Sequence, residues 1–182
     1  MSTVERIILL SEEGKVIGSA PKLESHHLNT PLHLAFSCYV FNSDGKFLVT
    51  QRAKTKKVWP GVWTNSVCGH PTPSEPMEDA IRRRLKEELG MTAKDFVAVL
   101  PHYRYKTPPF NGVVENEICP VYFARATSEP EPNPDEVEAY EWVDWQEFVG
   151  QATTDKKGVY SYWCKDQLKS LKNHPLLKKF TA

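Results

Sequence analysis

One stretch constrains the chain more than any other. It covers residues 59–91, WPGVWTNSVCGHPTPSEPMEDAIRRRLKEELGM. Its second half reads as a helix, with Pro76 at the start, Glu78 and Asp79 in the first turn and Gly90 at the stop. At 100° per residue, Met77, Ala80, Ile81, Leu85 and Leu89 form one apolar arc. Arg84 and Glu88 fall in the middle of that arc, one turn apart, while Asp79, Arg82, Arg83, Lys86 and Glu87 fall mainly on the other side. An inward charge is costly unless it is paired or binds something. Two readings are open: an internal Arg84–Glu88 pair at i,i+4, or two groups reserved for a ligand. The first half is a turn-rich loop that sets Cys68 and His70 two residues apart.

The totals narrow the classes. A chain of 182 residues suits one domain and buries roughly 70% of its unfolded surface without help from disulfides or metals. A net charge of zero argues against nonspecific nucleic-acid binding through a broad basic face, and leaves room for a local basic pocket that takes a small anion. No apolar run approaches the ~20 residues of a membrane span, and MSTVERIILLSEEGK lacks a basic region followed by a long apolar run. The expectation is a cytoplasmic protein with no membrane partner. Cys38, Cys68, Cys119 and Cys164 are widely spaced, with no CxxC pair. Reduced thiols follow, three as small packed residues and one as a candidate for chemistry.

The element order predicts the architecture. Strands are expected at 4–10, 15–18, 32–41 and 47–51, the last two forming a hairpin about the Asn42-Ser43-Asp44-Gly45 turn. Residues 21–31 read as irregular and 54–57 as a basic loop. After the central helix come an extended segment at 96–105, a loop at 107–112, a strand at 113–125 interrupted at Pro120, an exposed loop at 128–135 and a strand at 137–143. Asp144 suits the N-cap of a helix at 145–152. A break at 156–158, a last helix at 160–173 and a basic tail complete the chain. This order predicts an α/β (α+β) fold, a mixed sheet packed between helices.

Several side chains suit chemistry. In the 32–41 strand, Leu32, Leu34, Phe36 and Cys38 share one face, so His33 points the other way with Ala35 and Ser37. His26 lies seven residues upstream and can fold back towards it, and His70 follows the central loop. Glu115 and Glu117 share a strand face, opposite Val114 and Ile118. Adjacent carboxylates repel unless a cation or proton lies between them. Histidines with carboxylates suit a divalent transition metal such as Mn or Zn, the alternative being a solvated polar face. Cys68, with an ordinary thiol pKa of about 8.5, is a candidate acid or nucleophile. Lys22, Arg52, Lys56 and Arg84 come from four separate elements; converging, they would hold a small anion. Trp63, Trp163 and Tyr105 are aromatic candidates for a pocket, or core residues.

Gly69, Glu75, Arg83, Glu87, Glu88 and Gly90 fall at the spacing of the Nudix box, a loop–helix motif whose glutamates hold a divalent cation against a diphosphate. Arg84 stands where that pattern has glutamate, which leaves fewer carboxylates for attack by metal-activated water. LHLAFSCYVFN, WPGVWTNSVCGHP, RRRLKEELG and VVENEICPV together resemble the type I isopentenyl-diphosphate isomerases, over about residues 22–163. The Tyr160-Ser161-Tyr162-Trp163 segment departs by lacking a proline before the tryptophan.

This resemblance implies one Nudix-like domain over 1–182, with a core at about 32–152 completed by an N-terminal extension and a C-terminal segment. It implies conversion of isopentenyl to dimethylallyl diphosphate, a step of isoprenoid biosynthesis. By position, it makes His26, His33, His70, Glu115 and Glu117 ligands of Mn2+ or Zn2+. Cys68 and Glu117 become the acid/base pair, Tyr105 the phenol near that glutamate, and Trp163 the indole over the reacting carbon. Cys68 and Glu88 go to a Mg2+ that also touches the diphosphate, and Lys22, Arg52, Lys56 and Arg84 to the diphosphate itself. The implied partner is a small diphosphate, with no nucleic acid or membrane, and the chain a monomer or weak homodimer. A Nudix hydrolase of a nucleoside diphosphate derivative is the alternative, and a noncatalytic diphosphate-binding module is a third reading.

Overall fold

The structure, a computed structural model, describes residues 5–182; Val4, assigned above to the first strand, lies outside them. The chain opens with β1 (Arg6–Leu10), β2 (Val16–Pro21), the short α1 (Lys22–Ser25) and β3 (His33–Leu34). Next come β4 (Phe36–Phe41), β5 (Phe47–Arg52), β6 (Trp63–Thr64), β7 (Val67–Gly69) and α2 (Met77–Leu89). The second half holds β8 (Ala93–Leu100), β9 (Arg104–Lys106), β10 (Asn116–Ile118), β11 (Val121–Ala126) and β12 (Val137–Val143). Three helices follow, α3 (Trp145–Thr154), α4 (Tyr162–Leu171) and α5 (Leu177–Thr181). No helix among the described residues is long and apolar enough to cross a membrane.

The expected mixed sheet runs in the order β12-β5-β4-β11-β8, with β6 on β5 and β7 on β4. Its layers follow from strand alternation. In β4, Phe36, Cys38 and Val40 face α2, where Ala80, Ile81, Leu85 and Leu89 bury the apolar arc. Tyr39 and Phe41 face the other way, packing with Phe47 and Phe123 against Trp145 and Phe148 of α3, Leu168 and Leu171 of α4, and Phe180 of α5. Gly90 stops α2 at φ +59°; a Cβ there would lie 2.7 Å from the Glu131 carbonyl oxygen, so the left-handed stop also needs the missing side chain. Asp144 caps α3 by accepting from the Gln146 and Glu147 amides.

Two expected strands are each divided between sheets. A second sheet, β2-β1-β3-β10-β9, takes the first part of each. The 32–41 strand breaks at Ala35 into β3 and β4, and the 113–125 strand breaks at Cys119-Pro120 into β10 and β11. The partners are parallel on both sides of the break, β3 with β10 and β4 with β11. The Ala35 amide donates to the Ile118 carbonyl at 3.0 Å and the Ser37 amide to the Pro120 carbonyl at 3.1 Å, so the pair crosses between sheets together. The apolar alternation continues through the break, which is why one strand is the natural reading of each.

Other differences are local. The segment read as irregular includes α1, and the loop before the central helix supplies β6 and β7, both too short for a periodic signal. The basic tail ends in α5, whose Leu177 and Phe180 are buried. Arg125 donates to the Lys179 and Phe180 carbonyls at 2.7 and 3.0 Å, satisfying the end of that helix.

Candidate active site

The paired crossing of β3 and β10 sets Glu117 opposite His33 in register. His33 Nε2 lies 3.4 Å from Glu117 Oε1 and 3.2 Å from His70 Nε2, and His70 Nε2 lies 3.2 Å from the same carboxylate oxygen. His26 Nε2 is 3.3 Å from Glu115 Oε2. Backbone carbonyls orient two of the rings. His33 Nδ1 contacts the Pro31 carbonyl at 2.9 Å and His26 Nδ1 the Lys22 carbonyl at 2.6 Å. With the proton held on Nδ1 by an acceptor, each Nε2 lone pair is free to face the cluster. Donor atoms of His26, His33 and His70, and of His33, Glu115 and Glu117, lie within 4.8 Å of one another.

One buried atom here, His70 Nδ1, has no hydrogen-bond partner, and Glu115 Oε2 has the His26 ring at 3.3 Å beside it. Burial pushes the His70 imidazole down to about 3, against the opposing pull of Glu117. Burial also raises the Glu117 carboxyl, yet the His33 and His70 rings beside it outweigh this and hold it well below the usual carboxylate range. A neutral imidazole beside an ionised carboxylate is the protonation state a metal ligand needs. Lone pairs converging at 3.2 Å, an unpartnered buried imidazole nitrogen on His70 and a set of three imidazoles and two carboxylates fit a divalent transition metal.

Beside this cluster lies a cavity of about 250 Å³. Cys68, Glu117, Tyr105 and Trp163 line it, as do His26, His70, Glu115, Glu88, Lys22, Arg52, Lys56 and Arg84. Of the expected metal ligands, His33 alone stays behind the wall, fully buried. Tyr105 sits opposite Glu117 in the β9–β10 register, its phenol held neutral by burial and by that carboxylate. Cys68, on β7, donates to Asn65 Oδ1 at 3.2 Å and lies 3.5 Å from Ser37 Oγ. Burial pushes its thiol up to about 11, with the Ser37 and Asn65 hydrogen bonds opposing and Glu117 adding. The thiol is therefore protonated at neutral pH.

The cations converge, but each has a protein partner. Lys22 pairs with Glu5 at 2.9 Å and Lys56 with Glu136. Arg84 reaches Glu88 at 2.5 Å, Glu87 at 2.9 Å and Glu136 at 3.3 Å. The internal Arg84–Glu88 pair is thus present, and it forms part of the cavity wall, so the two readings of this helix are not exclusive. Burial and Glu136 raise the Glu88 carboxyl against the pull of Arg84. Arg52 spends donors on the carbonyls of Val58 at 3.1 Å and Trp59 at 3.2 Å. Trp63 does not line this cavity; it pairs with Gln51 at the sheet edge and borders a separate depression with Tyr160. Its place in the wall belongs to Trp59.

The sequence signature described as the NUDIX domain matches residues 31–163. An isopentenyl-diphosphate Delta-isomerase of Saccharopolyspora erythraea is 52% identical over 168 residues, 92% of this chain and 86% of that protein. One of Salmonella typhi is 50% identical over 161 residues, 88% of each. The chain belongs to the isopentenyl-diphosphate Delta-isomerases of the Nudix superfamily. Among solved structures, a Deinococcus radiodurans protein superposes with a TM-score of 0.69 at 20% identity, covering 91% of this chain and 98% of the other. A MutT protein of Methanosarcina mazei gives 0.57 at 18%, covering 76% and 91%. Those two likenesses concern the fold.

Within this isomerase-family chain the Nudix box does structural service. Glu75 takes Arg83 at 2.8 and 2.9 Å, and Arg83 also donates to the His70 carbonyl at 3.2 Å, so the pair braces the loop that carries His70. A Cβ at Gly69 would meet Arg84 Cγ at 2.9 Å and Phe36 Cζ at 3.0 Å. Sequence reasoning missed Asn65, Trp59 and Glu136. Asn65 Nδ2 donates to the Cys38 and Val67 carbonyls at 3.1 and 2.9 Å, and its Oδ1 accepts from Cys68 and, at 3.2 Å, from Trp163 Nε1. Its only signal was its place in WTNSVCGHP.

Proposed function

We propose that this chain interconverts isopentenyl and dimethylallyl diphosphate by a reversible proton shift through a tertiary carbocation. The observation that carries the reading is a single cavity whose wall brings together a protonated thiol, an ionised carboxylate, an indole and four cations. An alkene is a poor base, so a well-placed acid must protonate it. Cys68 and Glu117 form the acid/base pair: one delivers a proton to the terminal alkene carbon, and the other takes one from the carbon next to the cation. Charge and atoms balance over the two transfers. The Trp163 face stabilises the intermediate by ~2 kcal/mol or more once water is excluded. Tyr105, in register with Glu117, supplies a neutral phenol to the same wall.

Lys22, Arg52, Lys56 and Arg84 hold the diphosphate, which takes the place of Glu5, Glu87, Glu88 and Glu136 at Lys22, Lys56 and Arg84. His26, His33, His70, Glu115 and Glu117 would hold Mn2+ or Zn2+, and the Glu88 carboxylate beside Cys68 would hold Mg2+, the protonated Cys68 thiol being kept for the proton transfer; such ions neutralise developing charge and orient ligands. A hydrolase would want a carboxylate at position 84, where an arginine is salt-bridged to Glu88. The finer reading is a cytoplasmic single domain over 1–182, monomeric or weakly dimeric, which gel filtration checks. Incubation with isopentenyl diphosphate and a divalent ion tests the activity. The allylic isomer is the expected product; release of phosphate without isomer would favour the hydrolase, and no turnover would sink the proposal.

A further inference from the structure

Four non-glycine residues have a positive φ among those described: Trp59, Ser74, Asp95 and Asn111. Of these, Trp59 alone lines the cavity. Its φ is 47°, a conformation that bulky side chains avoid. It also precedes Pro60, whose ring favours extended backbone for its neighbour. The position is held from three sides. Arg52 Nε donates to the Trp59 carbonyl at 3.2 Å and Arg52 Nη2 to the Val58 carbonyl at 3.1 Å. Beyond the turn, the Gly61 amide donates to the Arg52 carbonyl at 3.1 Å, and Gln51 Nε2 to the Gly61 carbonyl at 2.9 Å.

The indole is held as firmly as the backbone. It stacks on Phe110 with centroids 5.2 Å apart and planes at 23°. It meets the Trp163 ring edge-on at 5.4 Å and 89°. Phe110 is itself fixed by two reciprocal backbone bonds with Val113, at 2.8 and 2.9 Å. Packing alone does not require a strained backbone; such strain persists where the surroundings over-determine a position, and it clusters at sites that need one geometry. Trp59 is thus a rigid panel at right angles to Trp163, in the wall of a cavity of about 250 Å³.

We infer that Trp59, backed by Phe110, sets the size of the alkyl group that this cavity accepts. The inference rests on the isomerase reading and deepens it. Stiffness is the physical point. A wall that cannot retreat turns one extra methylene into a clash, whereas a mobile wall would absorb it.

The test compares isopentenyl diphosphate with the homologue that carries ethyl in place of its branch methyl, as a ratio of kcat/KM values. Trp59→Gly removes the panel while allowing the backbone conformation. The expected result is a ratio lower by about tenfold or more, the scale set by one methylene in a pocket. Phe110→Leu, which leaves the cavity lining untouched, should lower the ratio in the same direction by less. A folded Trp59→Gly protein whose ratio stays within about twofold of the unsubstituted chain overturns the inference. If that variant does not fold, an unchanged ratio in Phe110→Leu overturns it. Failure of the unsubstituted chain to isomerise either compound would count against the activity instead; competition binding of the two diphosphates then reads the wall directly.

Discussion

The Cys68 thiol donates to Asn65 Oδ1 at 3.2 Å, and the same oxygen takes the Trp163 indole N–H at 3.2 Å. One fully buried amide therefore orients two groups, one three residues away and one from the distant α4. Its own orientation is pinned by two bonds from Nδ2 to backbone carbonyls. Asn65→Ala would leave those donors and acceptors unpaired in the interior. The expected loss is about 2–4 kcal/mol in denaturant unfolding, with a fall in kcat larger than any change in KM. A variant of native stability and native kcat would show that the amide orients nothing.

Cys68→Ala and Glu117→Gln remove the two proton carriers. Each should lower isomerisation by about 10²-fold or more, while circular dichroism stays native. Product formation with added magnesium is the measurement. Near-normal turnover in either variant would exclude that residue from the proton transfers.

The metal reading concerns binding as well as rate. Chelation should lower the thermal midpoint, and a divalent ion at 100 times its Kd should restore about 2.7 kcal/mol. Burial lowers the His26 pKa, but its bonds to Glu115 and the Lys22 carbonyl outweigh this and raise it overall. Protons therefore compete for His26 at a higher pH than for an ordinary histidine, so metal affinity should fall as the solution is acidified below neutrality. Titration calorimetry at two pH values checks this. Equal affinity at both would remove His26 from the ligand set.

Glu75 offers a cleaner acid-side test. The Arg83 hydrogen bonds hold its carboxyl at about 2, opposed by burial and helped by the Thr72 amide. The folded pKa is depressed, so this stability is present above the ordinary glutamate range and is lost as pH falls towards 2. Exposure of the pair to solvent limits the effect to about 1 kcal/mol or less. Glu75→Gln should be less stable than the unsubstituted chain at pH 7, and the gap should close by pH 2. A gap that stays constant over that range would mean the pair is energetically silent.

The local signals were strong where one element answers to one pattern. The apolar arc of α2, its Gly90 stop, the Asp144 cap and the 137–143 strand could all be read from residue order, because each depends on neighbours within a few positions. The spacing of Glu115 and Glu117 likewise announced a shared face. The breaks at Ala35 and Pro120 were not readable as a change of sheet. Alternation has the same period on both sides, and only the partner strand decides which sheet a segment joins.

The helix at 77–89 shows the same division. Its sequence determined that Arg84 and Glu88 would face inward, since a 3.6-residue period allows nothing else. Whether they would pair or point at a ligand depended on what lay opposite. Tertiary structure supplied Glu136 and Lys56 from distant segments, and a cavity alongside. It also moved the aromatic wall from Trp63 to Trp59 and brought the Trp163 indole to Asn65. The sequence by itself determined which side chains were available and which way each element turned them. The fold alone decided which of them meet, because distances between remote segments are set by packing that no local pattern encodes.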